Sequence, residues 1–230
     1  MLRNLFQTNL NYELNNEQIE LFNLYYNKLI EYNKHTNLTR ITEKEDVFIK
    51  HFLDSVMLTK LIDFNTINNM CDMGSGAGFP AIPILILYPH LNLTLIDSQI
   101  KRVTFLNELK EVLNLNYNVA HERAEVYSLE NNLKYDLVTV RALTDLNKIL
   151  EYGIPLLKKE GYLIAAKGLK YEEEILSSQK ALKTLKSVIV KIDEFRLPND
   201  SGFRANLLIK KNNHVKGYPR LYKDIIKKPL

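Results

Sequence analysis

The stretch Cys71-Asp72-Met73-Gly74-Ser75-Gly76-Ala77-Gly78-Phe79-Pro80 sets the fold of the chain around it. It ends one apolar run and opens another of helical character. Glycine tolerates positive φ and lets a backbone approach a ligand closely. The N–H groups of such a turn, with the helix N-terminus behind it, make a polar cradle. Pro80 suits a first helical turn, where its missing N–H is harmless. A tight strand-to-helix turn without a ligand would use the same glycines, so the flanking residues must decide. The spacing G-x-G-x-G differs from the dinucleotide fingerprint G-x-G-x-x-G.

Outward from the loop, short apolar runs alternate with helical segments. Strands are expected at 67–73, 91–97, 117–121, 136–140 and 161–167, and helices at 80–88, 100–114, 145–157 and 171–185. Residues 187–195 and 204–210 suit an antiparallel pair around the turn Pro198-Asn199-Asp200-Ser201-Gly202. Strand–helix alternation implies a parallel sheet covered on both faces. Before it, helices are expected at 15–34, capped by Asn15 or Asn16, and at 43–62, with apolar residues at helical spacing. The expectation is an α/β Rossmann-like fold: a mostly parallel seven-stranded sheet, an antiparallel terminal hairpin and an N-terminal helical cap. It divides as cap 1–65, sheet domain 66–211 and basic tail 212–230 within one compact unit.

With 230 residues and 46% hydrophobic content, the chain is long enough for one sizeable core. No apolar run approaches a membrane span, and no signal segment precedes the first helix. The one cysteine, Cys71, excludes an intrachain disulfide and a multi-cysteine zinc site. A cytoplasmic, metal-independent protein is expected. The net charge of +4 is unevenly spread. Residues 201–230 hold eight basic side chains against one acid, a net +7, so residues 1–200 carry −3. Such a tail suits a phosphate-rich partner or is simply a solvated end.

The flanking residues point to a cofactor. Asp72 ends the first strand, where a carboxylate can reach a ligand's amino-acid end or order the loop. Asp97 ends the second strand, 23 residues after Gly74, where it can accept from ribose hydroxyls of S-adenosylmethionine or NAD. The loop spacing and the terminal hairpin favour S-adenosylmethionine. Arg123-Ala124-Glu125 follows the third strand, where an adenine would be held; a surface ion pair is the alternative there. Arg141-Ala142 and Lys167-Gly168 end the fourth and fifth strands and face the crevice outside the carboxyl ends.

Together these residues resemble the RsmG (GidB) family, methyltransferases of guanine N7 in small-subunit ribosomal RNA. The matching pieces span nearly the whole chain: Tyr32-Asn33 with Asn37-Leu38-Thr39, His51-Phe52-Leu53-Asp54-Ser55, the glycine loop, and Leu95-Ile96-Asp97-Ser98 with Lys101-Arg102 and Phe105-Leu106. Arg141-Ala142, Lys167-Gly168, Tyr218-Pro219-Arg220 and Pro229-Leu230 complete them. The glycine loop is generic to its class; the His-x-x-Asp-Ser and Asp-Ser…Lys-Arg…Phe-Leu blocks are specific. The resemblance implies a monomeric enzyme acting on 16S ribosomal RNA or an assembling small subunit; the alternative is a methyltransferase of another RNA or of a small molecule. Its S-adenosylmethionine contacts map to Gly74, Phe79, Ala124, Glu125 and Arg141, with Asp97 at the ribose and Asp72 and Gly76 in the loop. The chain departs from the family at Ala81, where glycine is usual, and lacks a Gly-Thr-Pro stretch between Arg220 and Pro229.

Guanine N7 carries an exposed lone pair, so no general base is expected and alignment should dominate. Arg141 and Lys167 can position the target through a phosphate or the guanine O6 edge. Lys101, Arg102, Lys216 and Arg220 are the candidate RNA contacts. His51 and Asp54 share a helix face and serve either to anchor the cap or to touch substrate. No Asn/Asp-Pro-Pro-aromatic segment follows the fourth strand, and Cys71 is expected in the core; amino-group and carbon-5 methylation leave such marks.

Overall fold

The computed structural model describes residues 1–230. A capping box opens the long N-terminal helix: Asn15 accepts from the Gln18 N–H, and the Gln18 side chain accepts from the Asn15 N–H. This helix, α2 (Asn16–Thr36), ends where Asn37 turns left-handed at φ 52°. An unanticipated α1 (Leu2–Leu10) precedes it, burying only Leu2 and Phe6, too short an apolar stripe to stand out. The helix expected over 43–62 is broken into α3 (Lys44–Val47), a π-helical turn (Phe48–Leu53), α4 (Asp54–Val56) and a 3-10 turn (Met57–Lys60).

Seven strands follow: β1 (Asn69–Met73), β2 (Asn92–Asp97), β3 (Asn118–His121), β4 (Tyr135–Arg141), β5 (Leu157–Lys167), β6 (Ser187–Arg196) and β7 (Phe203–Lys211). Their order is β3-β2-β1-β4-β5-β7-β6. The first five are parallel, and β7 runs antiparallel to both β5 and β6. The sheet is the expected Rossmann-like one. Its strand order reverses between β1 and β4, so the crevice for a ligand lies beyond the ends of those two strands. β5 starts earlier than expected because a bulge at Glu160, φ 65°, admits the charged Lys158, Lys159 and Glu160 into the strand.

Alternate strand residues feed two cores. Met70, Leu93, Leu137 and Ile164 join one, with α5 (Ala81–Leu87), α6 (Ile100–Leu113) and the N-terminal helices. Cys71, Met73, Val138 and Leu163 join the other, with α7 (Ala124–Glu130), α8 (Leu146–Gly153) and α10 (Gln179–Thr184). A short α9 (Tyr171–Ser177) precedes α10, so the helix expected over 171–185 is interrupted at Ser178. The first core does not stop at residue 65: Phe22 touches Phe6 and Phe52, and Lys28 pairs with Glu108 across α2 and α6 at 2.8 Å. The hairpin turn reaches α3 through Asn199 Nδ2, which donates to Glu45 Oε1 at 2.9 Å.

β6 forms one sheet edge and leaves Val188, Val190 and Ile192 exposed, with its pairing to β7 shifted between Ile189 and Lys191. The tail is partly ordered as α11 (Tyr222–Lys227), which buries Ile225. No helix is long and apolar enough to cross a membrane. Because one core holds helices and sheet together, Phe22→Ala should lower stability by about 3–5 kcal/mol in a single cooperative denaturant transition. A two-step curve would mean that the helices unfold separately.

Candidate active site

Gly74, Gly76 and Gly78 all have positive φ, at 70°, 58° and 93°. A side chain at Gly74 would strike Leu143, and one at Gly78 would strike Ile82 and the Tyr25 hydroxyl. A Cβ at Gly76 would point into nearly open space. The loop's N–H groups turn inward. Those of Gly74 and Ser75 donate to the Ile96 carbonyl at 2.8 and 3.0 Å, that of Gly76 to Asp97 Oδ2 at 2.9 Å, and those of Gly78 and Phe79 to the Ser75 carbonyl. The expected cradle of free N–H donors is therefore absent at these five positions, because the loop closes onto the end of β2. What it offers a ligand is close approach.

Two clefts open at the strand ends. One, of about 480 Å³, is lined by Gly74, Asp97, Arg102, Ala124 and Glu125, with Tyr152 and Tyr222 among its other walls. The second, of about 640 Å³, is lined by Lys50, His51, Asp54, Arg141, Lys167, Glu174 and Arg204 among others. They share Ala142, Leu143 and Thr144, the segment leaving β4. In the first cleft Asp97 is buried, accepting from the Gly76 and Gln99 N–H groups at 2.9 Å each. Arg102 Nη1 lies 3.3 Å from Asp97 Oδ2, so this expected RNA contact is turned into the first cleft, while Lys101 stays exposed.

Several expected contacts sit elsewhere. Asp72 is fully buried behind the loop; Thr139 Oγ1 donates to its Oδ1 at 2.7 Å, and Oδ2 has no partner. Burial pushes its carboxyl up to about 7, against the hydrogen bond from Thr139, while the Ser75 hydroxyl donates to the Asp72 backbone carbonyl. It lines neither cleft, so its place is under the loop. The Phe79 ring is likewise absent from the first cleft. It stacks on Tyr25 at 5.2 Å and on His51 at 4.5 Å, with the Arg141 guanidinium 5.2 Å from its centroid. The Tyr25 hydroxyl donates to the Ala77 carbonyl, tying α2 to the loop.

Arg141 belongs to the second cleft. Its Nη1 donates to Asp54 Oδ2 at 3.1 Å and to the Lys50 carbonyl at 3.3 Å. Arg204 Nε lies 3.0 Å from both Asp54 oxygens. His51 joins Thr39 Oγ1 through Nε2 at 2.9 Å, and burial, helped by Arg141, draws it down to about 3, so it is neutral. Lys167 is spent on the wall: Nζ donates to the Thr144 carbonyl at 2.9 Å and to Glu174 Oε2 at 2.6 Å. Glu174 Oε2 also accepts from the Leu146 N–H at 2.8 Å, holding the start of α8. Lys167 thus positions the segment between the clefts. Leu143 and Glu174 went unnoticed in the sequence, one an apolar residue in a loop and the other inside a run of three glutamates.

The tail is also partly committed. Arg220 Nε and Nη2 lie 2.7 and 2.6 Å from the two oxygens of Glu151, a fully buried carboxylate. Lys210 pairs with Glu160, and Lys211 is buried on the carbonyls of Ile154 and Leu157. With Arg204 on Asp54, half of the tail's basic groups serve the fold. Arg220 is therefore not a free RNA contact, whereas Lys216, Lys223, Lys227 and Lys228 are exposed. Cys71 is fully buried, and burial pushes its thiol up, away from nucleophilic use.

A family model described as rRNA small subunit methyltransferase G matches residues 18–201. A ribosomal RNA small subunit methyltransferase G of Acholeplasma laidlawii is 53% identical over 228 residues, covering 99% of each chain. Its Bacillus subtilis counterpart is 44% identical over 211 residues, covering 90% of this chain and 88% of that one. Among solved structures, a Klebsiella pneumoniae putative O-methyltransferase aligns with TM-score 0.58 at 10% identity, covering 92% of this chain and 96% of that one. A T. thermophilus 16S rRNA methyltransferase, solved with AdoMet and guanosine, aligns at 0.51 and 16%, covering 74% and 41%. Those two likenesses carry the fold.

The perturbed Asp72 gives a pH signature. Its folded pKa lies above the unfolded value, so its contribution is intact below about pH 4 and is lost as pH rises through about 7. Denaturation of Asp72→Asn and parent across pH 4–8 should show the variant gaining about 2–4 kcal/mol relative to the parent. A pH-independent difference, or one of opposite sign, would contradict a carboxyl that resists ionising.

Proposed function

The chain belongs to the rRNA small subunit methyltransferase G (GidB) family, and from that premise we propose that it methylates N7 of a guanine in 16S ribosomal RNA, using S-adenosylmethionine. The observation that carries this reading is the pair of clefts meeting at Ala142, Leu143 and Thr144. One suits a nucleoside-bearing cofactor, and the other is lined by Lys50, Arg141, Lys167 and Arg204. The inward-turned loop N–H groups offer no cradle to a dinucleotide's diphosphate, a group that S-adenosylmethionine lacks.

S-adenosylmethionine supplies a methyl group already activated by the sulfonium charge. The chain's own residues then bind and align. Asp97 accepts from the ribose hydroxyls with lone pairs left over from its backbone bonds. Ala124 and Glu125 border the adenine, while Gly74 and Gly76 let the backbone approach the amino-acid end. Arg141, fixed by Asp54 and stacked on Phe79, presents the rest of its fork to the guanine O6 or a phosphate. The N7 lone pair bears no proton, so no side chain has to remove one. The neutral His51, held by Thr39, fits a wall of the substrate cleft. Lys167 and Glu174 keep that wall in place, which matters when near-attack alignment supplies the rate.

Incubating the protein with labelled S-adenosylmethionine and small subunits from cells lacking the gene should put the label in 7-methylguanosine after digestion. Label in another nucleoside, or in no RNA, would overturn the reading. Asp97→Ala should weaken cofactor binding by about 1–3 kcal/mol in calorimetry. RNA docking is a separate property. Changing Lys216, Lys223, Lys227 and Lys228 to Gln should weaken RNA binding and flatten its salt dependence by roughly 0.7 in slope per lost contact. Unchanged affinity and slope would move the docking surface to Lys101 and the N-terminal helices.

A further inference from the structure

The tail that the charge pattern marks for RNA also reaches the cofactor cleft. It is pinned at three points: the two-pronged Arg220–Glu151 pair, the buried Ile225, and Leu230 at the chain end. The Arg220 N–H also donates to Glu151 Oε1, at 3.1 Å. With Ile225 turned inward, Tyr222 and Ile226 lie one helical turn apart on a single face. That face lines the first cleft beside Ser98, Gln99, Arg123 and Ala124. The Arg123 guanidinium sits 5.0 Å from the centroid of the Tyr222 ring, holding it next to Ala124 and Glu125.

Tyr222 and Ile226 remain 45% and 47% exposed. Two large apolar side chains are thus fixed at the rim of a polar cleft, with burial still to gain from a flat ligand. Apart from the buried Tyr152, Tyr222 brings the aromatic ring to that cleft. We propose that Tyr222 and Ile226 cover the adenine of S-adenosylmethionine, so that the C-terminal segment is part of the cofactor site. This rests on the reading of the first cleft as that site.

Both side chains are half exposed, so replacing them should leave the fold intact. Tyr222→Ala and Ile226→Ser should each weaken S-adenosylmethionine binding roughly 10-fold for the ring and less for Ile226, with unchanged melting. Tyr222→Phe should bind like the parent, because the ring face and not the hydroxyl makes the contact. The chain has no tryptophan, so Tyr222→Trp supplies a single indole. Its emission should change as S-adenosylmethionine is added and saturate at the Kd found by calorimetry. Asp97→Ala serves as the control. If it loses affinity while Tyr222→Ala binds normally and the indole is silent, the tail does not cover the cofactor. If Asp97→Ala and Tyr222→Ala both bind normally, the cleft itself has been misassigned and the proposal falls with it.

Discussion

One buried carboxylate joins the parts of this molecule that have to meet. Asp54 leaves the π-helical turn and takes Arg141 from the end of β4 and Arg204 from β7. It is 3% exposed, while the Arg141 and Arg204 side chains keep part of their surface in water. Desolvation on this scale is offset only by close, well-aligned partners. Remove the carboxylate and two neighbouring guanidinium groups are left with only backbone carbonyls to accept from them. The same contact orients Arg141 over Phe79, and Phe79 in turn packs on Tyr25, whose hydroxyl holds the Ala77 carbonyl. The N-terminal helices are therefore bound to both the second cleft and the glycine loop, and the seating of those helices sets the geometry of each.

The loop illustrates how a shared pattern can serve different ligands. Glycine spacing alone suggests donors awaiting an anion. Here Ile96, Asp97 and Ser75 consume them, and the loop's hydrogen bonds are formed without a ligand. Such a preformed surface costs little to organise on binding. Asp72 pushes the same way: its orphaned oxygen lies in the interior, behind the loop, where only Thr139 meets the carboxylate from another strand.

The strands were legible because each is a short apolar run bounded by polar turns, whereas the switch point needed the strand order that only the pairing shows. Asp97 and Arg141 were legible because strand ends are fixed points of such a sheet. What escaped the sequence depended on distant partners. Arg220 and Glu151 stand 69 positions apart, and nothing local distinguishes Arg220 from the free lysines around it. Lys211 is part of a basic pair in the sequence yet caps carbonyls in the interior. The π-helical turn interrupts a segment whose apolar spacing still reads as one helix, because nearly every residue around the break is buried and the spacing carries no mark of it. Phe79 was placed beside the cofactor by resemblance and Arg102 among the RNA contacts; the packing turns the first into the aromatic stack and the second onto Asp97.

The free margin of the sheet has its own consequence. β6 shows Val188, Val190 and Ile192 to solvent along a row of unpaired backbone groups, the pattern that invites another strand to add itself. The shift between Ile189 and Lys191 interrupts that row midway. A neighbouring chain would find matching donors and acceptors for only a few residues before falling out of step. The break in register therefore shortens the stretch of β6 along which an added strand could stay paired.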